Sequence, residues 1–380
     1  MSVLSLGLAF AILLPSVMCA ASRQLIFIGT YTPREGASRG LYAVPFDPAT
    51  GALGTPTVAA ETPNPTFLAL HPGRRVLYAL GESGTVQGRP GGAVIAFALA
   101  PDGGLAPLNT EPTGGGSTTH LAADATGRML IAVSYSGGQV ASFPLAPDGR
   151  IGARIGWQLP AGKPGPNPAR QDRPHPHSVT LSPDNRFAYV CDLGLDRIFR
   201  YRIDPATAAL TADGAQPTAP GAGPRHGKIS ADGRFLHVIN ELAGTITTFV
   251  RDPVDGGLRP VQTVSTLPPG FAGENATAEI RLHPNERFLY GSNRGHDSLA
   301  VFARDPASGR LTPVEIVPSG GGHPRNFALS PDGAWLVCAN RDSGNLVVFR
   351  VDPATGRLTR TPHTAAVPQA VCVLFGPAGS

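Results

Sequence analysis

A chain that repeats itself has few ways to fold, and this one repeats itself along most of its length. The segment HPHSVTLSPDNRFAYVCDLGLDRIFRYRIDPATAAL from His175 recurs as GPRHGKISADGRFLHVINELAGTITTFVRDPVDGGL from Gly223 and as HPRNFALSPDGAWLVCANRDSGNLVVFRVDPATGRL from His323. Weaker copies begin at Asn64, Ser117 and Ala276. A period of some tens of residues marks a solenoid or a propeller, because each unit buries its apolar face only against its neighbours. Within a copy, a strand runs into a Ser-Pro-Asp-Gly turn, a β-rich second strand such as Arg234 to Asn240 returns, and a third such as Asn345 to Val351 follows. A fourth begins after Gly-x-Leu. Asp-Gly permits the positive φ angles of a tight hairpin, and the Asp-Pro-x-Thr-Gly segments serve the next turn. The 47 Gly and 39 Pro, with only 15% charged residues, suit short strands and tight turns rather than long solvated helices.

Four antiparallel strands make one propeller blade. The aligned junctions before the fourth strand carry Leu53, Leu105, Ile151, Leu210, Leu258, Leu311 and Leu358, so the chain is read as all-β, a seven-bladed β-propeller. The first copy lacks an inner strand and opens at Leu25 in LIFIGTYT, while the C-terminus carries an orphan apolar run, Ala370 to Phe375. That run is expected to complete the first blade, closing the ring and leaving no open edge.

The repeat also maps one rim. The third inner-strand position holds Thr66, Thr119, His177, Arg225, Ala278 and Arg325, and the end of the returning strand holds Tyr31, Glu82, Tyr135, Leu193, Glu241, Arg294 and Arg341. An antiparallel hairpin brings its end back to the level of its start, so both sets belong to one mouth of the central channel. Four arginines there, Arg225, Arg294, Arg325 and Arg341, outnumber two glutamates. Since the guanidinium fork grips carboxylate or phosphate with two parallel hydrogen bonds, the mouth is expected to take an anionic small molecule. Because His177, Arg225, Glu241 and Arg294 lie at the rim and outside the inter-blade core, their substitution is expected to leave thermal stability near that of the parent. His175 flanks His177 across Pro176 and is read as orienting it or packing the turn. His71 and His283 precede Pro at the opposite rim and are read as structural.

Other chemistries find no support. His175-x-His177 has no Cys or carboxylate set to complete a metal site, and there is neither a Gly-Lys-Thr phosphate loop nor a Gly-x-Ser-x-Gly elbow. No metal or other cofactor is assigned. A net charge of +4, without a Lys or Arg run, gives no reason to expect nucleic acid. Cys19 lies in the leader; Cys191, Cys338 and Cys372 sit in apolar runs and are expected as buried thiols without disulfides. Residues 1–21 read as a signal peptide, with an apolar run Leu4 to Val17 and small residues Ala20, Ala21 and Ser22 at the cleavage point. The expectation is therefore a periplasmic or secreted protein in which residues 22–380 form one propeller with no membrane span. The run has no Lys or Arg before it, and a misassigned start codon would make the protein cytoplasmic. The sequence assigns no oligomeric state.

GPNPARQDRPHPHSV (Gly165 to Val179), DLGLD (Asp192 to Asp196), GPRH (Gly223 to His226), INEL (Ile239 to Leu242), AEI (Ala278 to Ile280), SNRGHDS (Ser292 to Ser298), PRNF (Pro324 to Phe327) and the opening IGTYT (Ile28 to Thr32) closely resemble the seven-bladed propeller lactonases. That family groups bacterial 6-phosphogluconolactonases with the fungal 3-carboxy-cis,cis-muconate lactonizing enzyme. The resemblance implies a catalytic set of His177, Arg225, Glu241 and Arg294, residues the rim count selects independently, with Arg325, Arg341, His175 and His226 expected at the substrate. It implies hydrolysis of an anionic sugar-type lactone, in which Arg225 and Arg294 hold the anion and polarise the carbonyl while Glu241 or His177 activates water. Two alternatives stand beside it. One is a lactone-forming cycloisomerase, which needs the same clamp without water; the other is a non-catalytic exported propeller that binds an anion or a protein on its rim.

Overall fold

The computed structural model describes residues 24–377, apart from 34–37, 83–84 and 87; the leader and Cys19 lie outside the described residues. Seven four-stranded antiparallel sheets form the ring. The closing strand Ala370–Phe375 pairs antiparallel with Gln24–Thr30 as the innermost strand of the first blade, with Ile26 opposite Phe375 and Ile28 opposite Val373. The repeat does not forecast a small hairpin in the second blade, where Thr85–Val86 pairs with Arg89–Pro90.

Burial follows from how blades stack. The second strands Val76–Gly81, Phe187–Asp192 and Trp335–Asn340 are buried at every residue, because neighbouring blades cover both faces. The outermost strands, such as Leu258–Ser265, alternate toward solvent. In the first and third blades the apolar junction residue makes only an isolated bridge, Leu53 to Phe46 and Ile151 to Leu145, and the outer strand starts later.

The blades are locked by a repeated device. A side chain in the second strand reaches the outer turn of the next blade: Tyr78 Oη donates to Gly149 O at 2.9 Å, Tyr189 to Gly256 O at 2.7 Å, Tyr290 to Gly356 O at 2.9 Å, and Trp335 Nε1 to Pro48 O at 2.9 Å. The last of these joins the seventh blade to the first. The receiving turns are built by Asp side chains that accept backbone N–H groups two residues on, as at Asp47, Asp204 and Asp352. His71 and His283 lock neighbours at the far rim, with Nε2 3.1 Å from Gly127 O and 3.0 Å from Gly333 O. Cys191, Cys338 and Cys372 are buried free thiols. No helix among the described residues is long and apolar enough to cross a membrane.

Gly356 shows why a turn needs glycine: its φ is +73°, and a Cβ there would lie 2.4 Å from the Phe288 ring. Gly356→Ala is therefore expected to cost at least ~2 kcal/mol in urea unfolding, summing left-handed strain and overpacking. Gly73→Ala, at a turn with open space around it, should stay within about 0.5 kcal/mol of the parent.

Candidate active site

The rim residues reach the channel because the inner strands bulge there. Register skips one residue between Thr118 and His120, Pro176 and Ser178, Pro224 and His226, and Pro324 and Asn326. The skipped residues are Thr119, His177, Arg225 and Arg325. An extra residue in one strand bends it and re-aims its side chain, so four blades each point one residue into the mouth. The returning strands deliver Glu241 and Arg294 to the same level. A cavity of about 350 Å³ is lined by His177, Glu241, Arg294, Arg325, Arg170 and Tyr135 among others. It continues into a recess of about 10 Å³ beside Thr119, His177, Arg225 and Arg325, the space of roughly one water.

Glu241 organises the mouth. Its Oε2 accepts Arg225 Nε and Arg294 Nη2, each at 2.9 Å, and its Oε1 accepts Arg170 Nη2. Burial would raise this carboxyl's pKa, but Arg294 and Arg225, then His177 and Arg170, overcome it and hold the group well below the usual carboxylate range. Arg225 also donates from Nη1 to Ala278 O at 2.7 Å and to His226 Nε2 at 3.1 Å. His226 Nδ1 lies 3.3 Å from Glu279 Oε2, which also accepts Asn326 Nδ2. Since Nε2 accepts from Arg225, the proton of a neutral His226 belongs on Nδ1, facing Glu279. Burial, then Arg225, keeps that imidazole neutral.

His177 Nε2 is 4.0 Å from Glu241 Oε2, and its buried Nδ1 has no protein partner. Burial first, then the charge of Arg225, lowers its pKa well below the usual histidine value. Arg325 donates to the Tyr31 hydroxyl at 3.0 Å and lies 5.5 Å from that ring's centroid, and forms no ion pair with a described carboxylate. Burial raises the pKa of Glu82 against the opposing pull of Arg325. Four guanidiniums thus face two carboxylates, one of them reluctant to ionise.

Two expected residues stand apart from this cavity. Arg341 turns along the rim to Asp342, Nε to Oδ1 at 2.7 Å. His175 sits behind the wall: it stacks on Tyr135 at 4.2 Å and bonds Tyr135 O and Asp172 Oδ1, so it braces Tyr135. Arg170 goes unnoticed in a rim count because it belongs to no repeat. It rides the long connection between the third and fourth blades, which is pinned where Gln171 Nε2 donates to Leu193 O at 2.9 Å. Its only signal is its place in the GPNPARQDRPHPHSV motif. The expectation that these side chains matter little to stability is overturned: Arg225 is 2% exposed, Glu241 3% and His177 5%. The bulges push them inside the channel, where each charge depends on its partners.

Residues 25–375 match the family model described as Lactonase, 7-bladed beta-propeller, and the chain belongs to that family. It is 35% identical over 355 residues to the 6-phosphogluconolactonase of Bacillus subtilis (strain 168), covering 93% of this chain and 99% of the relative. The solved structure of the Pseudomonas aeruginosa periplasmic gluconolactonase superposes with a TM-score of 0.87 at 35% identity, covering 94% of this chain and all of that one. A Lactobacillus plantarum protein superposes with a TM-score of 0.86 at 31% identity, covering 93% and 99% of the two chains.

Glu241→Gln tests the cluster. Removing one buried charge among its partners should cost about 3–5 kcal/mol at pH 7. Because the native pKa is depressed, the stability that Glu241 supplies is complete above the ordinary glutamate value of 4.5 and drains away as pH falls below it. The gap between parent and variant in urea unfolding should therefore shrink below pH 4.5.

Proposed function

We propose that this chain hydrolyses an anionic sugar-type lactone at the channel mouth, with His177, Arg225, Glu241 and Arg294 as its catalytic set. The observation that carries this reading is the division of labour among the arginines: Arg170, Arg225 and Arg294 are engaged by Glu241, while Arg325 faces the same cavity without an ion pair to any carboxylate among the described residues. Arg325 is then the residue that grips the substrate's anionic group. Arg225 Nη2 and Arg294 Nη1, not used in the bonds above, are the donors that stabilise negative charge as it develops on the lactone carbonyl. His226, backed by Glu279, positions Arg225 for this, and His175 acts only through Tyr135. Arg341 is left with a place on the rim.

Between the two candidate bases, the electrostatics favour His177. Glu241 has both oxygens occupied by guanidiniums and a depressed proton affinity, so it is a weak base and a strong anchor. His177 is neutral and beside the recess, and the imidazolium it becomes on deprotonating water is stabilised by Glu241 at 4.0 Å. An entering anion offsets the arginines that depress it, raising its basicity when substrate is present.

We also propose that residues 1–21 direct export and that residues 22–380 form the mature enzyme. The apolar leader supports this, as does the likeness to a periplasmic gluconolactonase. The names of two relatives specify a phosphorylated and an unphosphorylated gluconolactone, and an exported enzyme would not meet a phosphorylated sugar lactone made in the cytoplasm.

Purified mature protein should be assayed on a panel of sugar and muconate lactones. His177→Asn is expected to lower kcat by roughly two to four powers of ten. Arg325→Ala should raise KM for an anionic lactone by about 10- to 150-fold, the loss of a charged hydrogen bond, and hardly change KM for a neutral one. Parent-like turnover in His177→Asn would remove His177 as the base, and a parent protein that turns over none of the lactones would leave the arginines as a ligand-binding site without catalysis. Protein recovered outside the cytoplasm should begin close to Ser22; an intact Met1 on soluble cytoplasmic protein would reverse the export proposal.

A further inference from the structure

The central channel holds a second cavity of about 360 Å³ on the side away from the catalytic mouth. Between the two lies a partition of packed rings and buried polar groups. Phe67 lies 4.0 Å from His120 and 5.9 Å from His226, and the two histidine rings are 5.2 Å apart. Glu279 and Asn326 fill the rest, fully buried and bonded to each other.

The far cavity is lined by inner strands at a position that the repeat makes comparable from blade to blade, opposite the third residue of each second strand. Four blades put a small or apolar residue against the cavity there: Ala69, Ala122, Thr180 and, opposite Phe27 of the first blade, Leu374. The fifth and sixth blades, which are neighbours, put Lys228 and Arg281. Arg281 is 3.5 Å from Glu279 and donates to Phe327 O at 3.2 Å. The Lys228 ammonium forms no ion pair or hydrogen bond with a described residue. Glu279 cannot neutralise both cations, since it already serves His226 and Asn326 and is fully buried. Burial, then Arg281, weakens the hold of the Lys228 ammonium on its proton, to a pKa of about 8. An anion beside it would relieve that cost.

We propose that this far cavity is a second ligand site, separate from the catalytic mouth, that takes a small amphipathic carboxylate with its head on Lys228 and Arg281 and its body along the apolar wall. Charge and surface select this class together. One uncompensated positive charge fits one anionic head, and the leucine, valine and alanine side chains that line the cavity beside His120 and Thr180 give an apolar body a surface to lie on.

The test uses octanoate and, as its neutral counterpart, octanol, titrated calorimetrically into the mature protein. The parent should bind octanoate at least tenfold more tightly than octanol. Lys228→Met removes a cation that has no protein partner, so the variant should fold at least as stably as the parent, keep its lactonase activity, and bind octanoate at least tenfold more weakly. Lys228→Gln, which also removes the charge, gives the same comparison should Lys228→Met fail to fold. Arg325→Ala, altered at the catalytic mouth, should bind octanoate like the parent. Absence of octanoate binding to the parent, equal affinity for octanol, unchanged binding in Lys228→Met, or loss of binding in Arg325→Ala would each overturn the proposal. The last outcome would place the carboxylate in the catalytic cavity and leave the lactonase reading intact.

Discussion

Everything in this structure depends on the pairing of Ala370–Phe375 with Gln24–Thr30. A propeller channel exists only when the ring is closed, because each inner strand is one stave of the wall. Closure brings the seventh blade against the first, so that Arg325 meets Tyr31 and Trp335 reaches Pro48. The energy of closure is hydrophobic: Ala370, Val373 and Phe375 are buried in a cluster with Ile26, Ile28 and Val44 from the start of the chain. The inner strand also takes a polar tie, Val373 N to Asn326 Oδ1 at 2.9 Å. The same Asn326 bonds Glu279, so the group that seats the closing strand also seats the network behind Arg225.

On that frame the site is an exercise in compensating buried charge. One carboxylate would be costly to bury and three guanidiniums more so; together, with both carboxylate oxygens satisfied, they hold one another in place. The price is that the cluster leaves little of Glu241 for proton transfer, which is why the proposed mechanism gives the acid–base work to His177. The positive charge left over is on Arg325, which bonds the Tyr31 hydroxyl and has for a nearby carboxyl Glu82, whose ionisation burial opposes. Pre-set donors and an uncompensated cation in a small cavity are the conditions under which a lactone carbonyl is polarised without a covalent nucleophile or a metal being required of the protein's own side chains.

The channel is not a single space. His120, His226 and Phe67 close it midway, and the polar chain from Arg225 through His226 and Glu279 to Arg281 passes through the partition. The two ends therefore differ in character, one dense in paired charge and hydrogen bonds, the other an apolar wall with two cations on adjacent blades.

Much of this was legible in the sequence. Seven apolar junctions and the orphan run at Ala370 gave the blade count and the closure, since repeat period and strand pattern are local properties that survive in any context. Counting within the repeat placed His177, Arg225, Glu241, Arg294 and Arg325 at one mouth, because equivalent positions in equivalent units share a level. The count could not see that the inner-strand members of this set sit on bulges, and so it took for rim groups side chains that the bend turns into the channel. Arg170 was hidden because it lies in a connection outside the repeat, and only folding carries it back over Glu241. Arg341 was over-read because its neighbour Asp342 captures it, a competition between two contacts that a pattern of positions does not contain. Periodicity determined where each residue stands; which charges neutralise one another, and which one is left for a ligand, was decided by distances of three or four ångströms that exist only once the ring has closed.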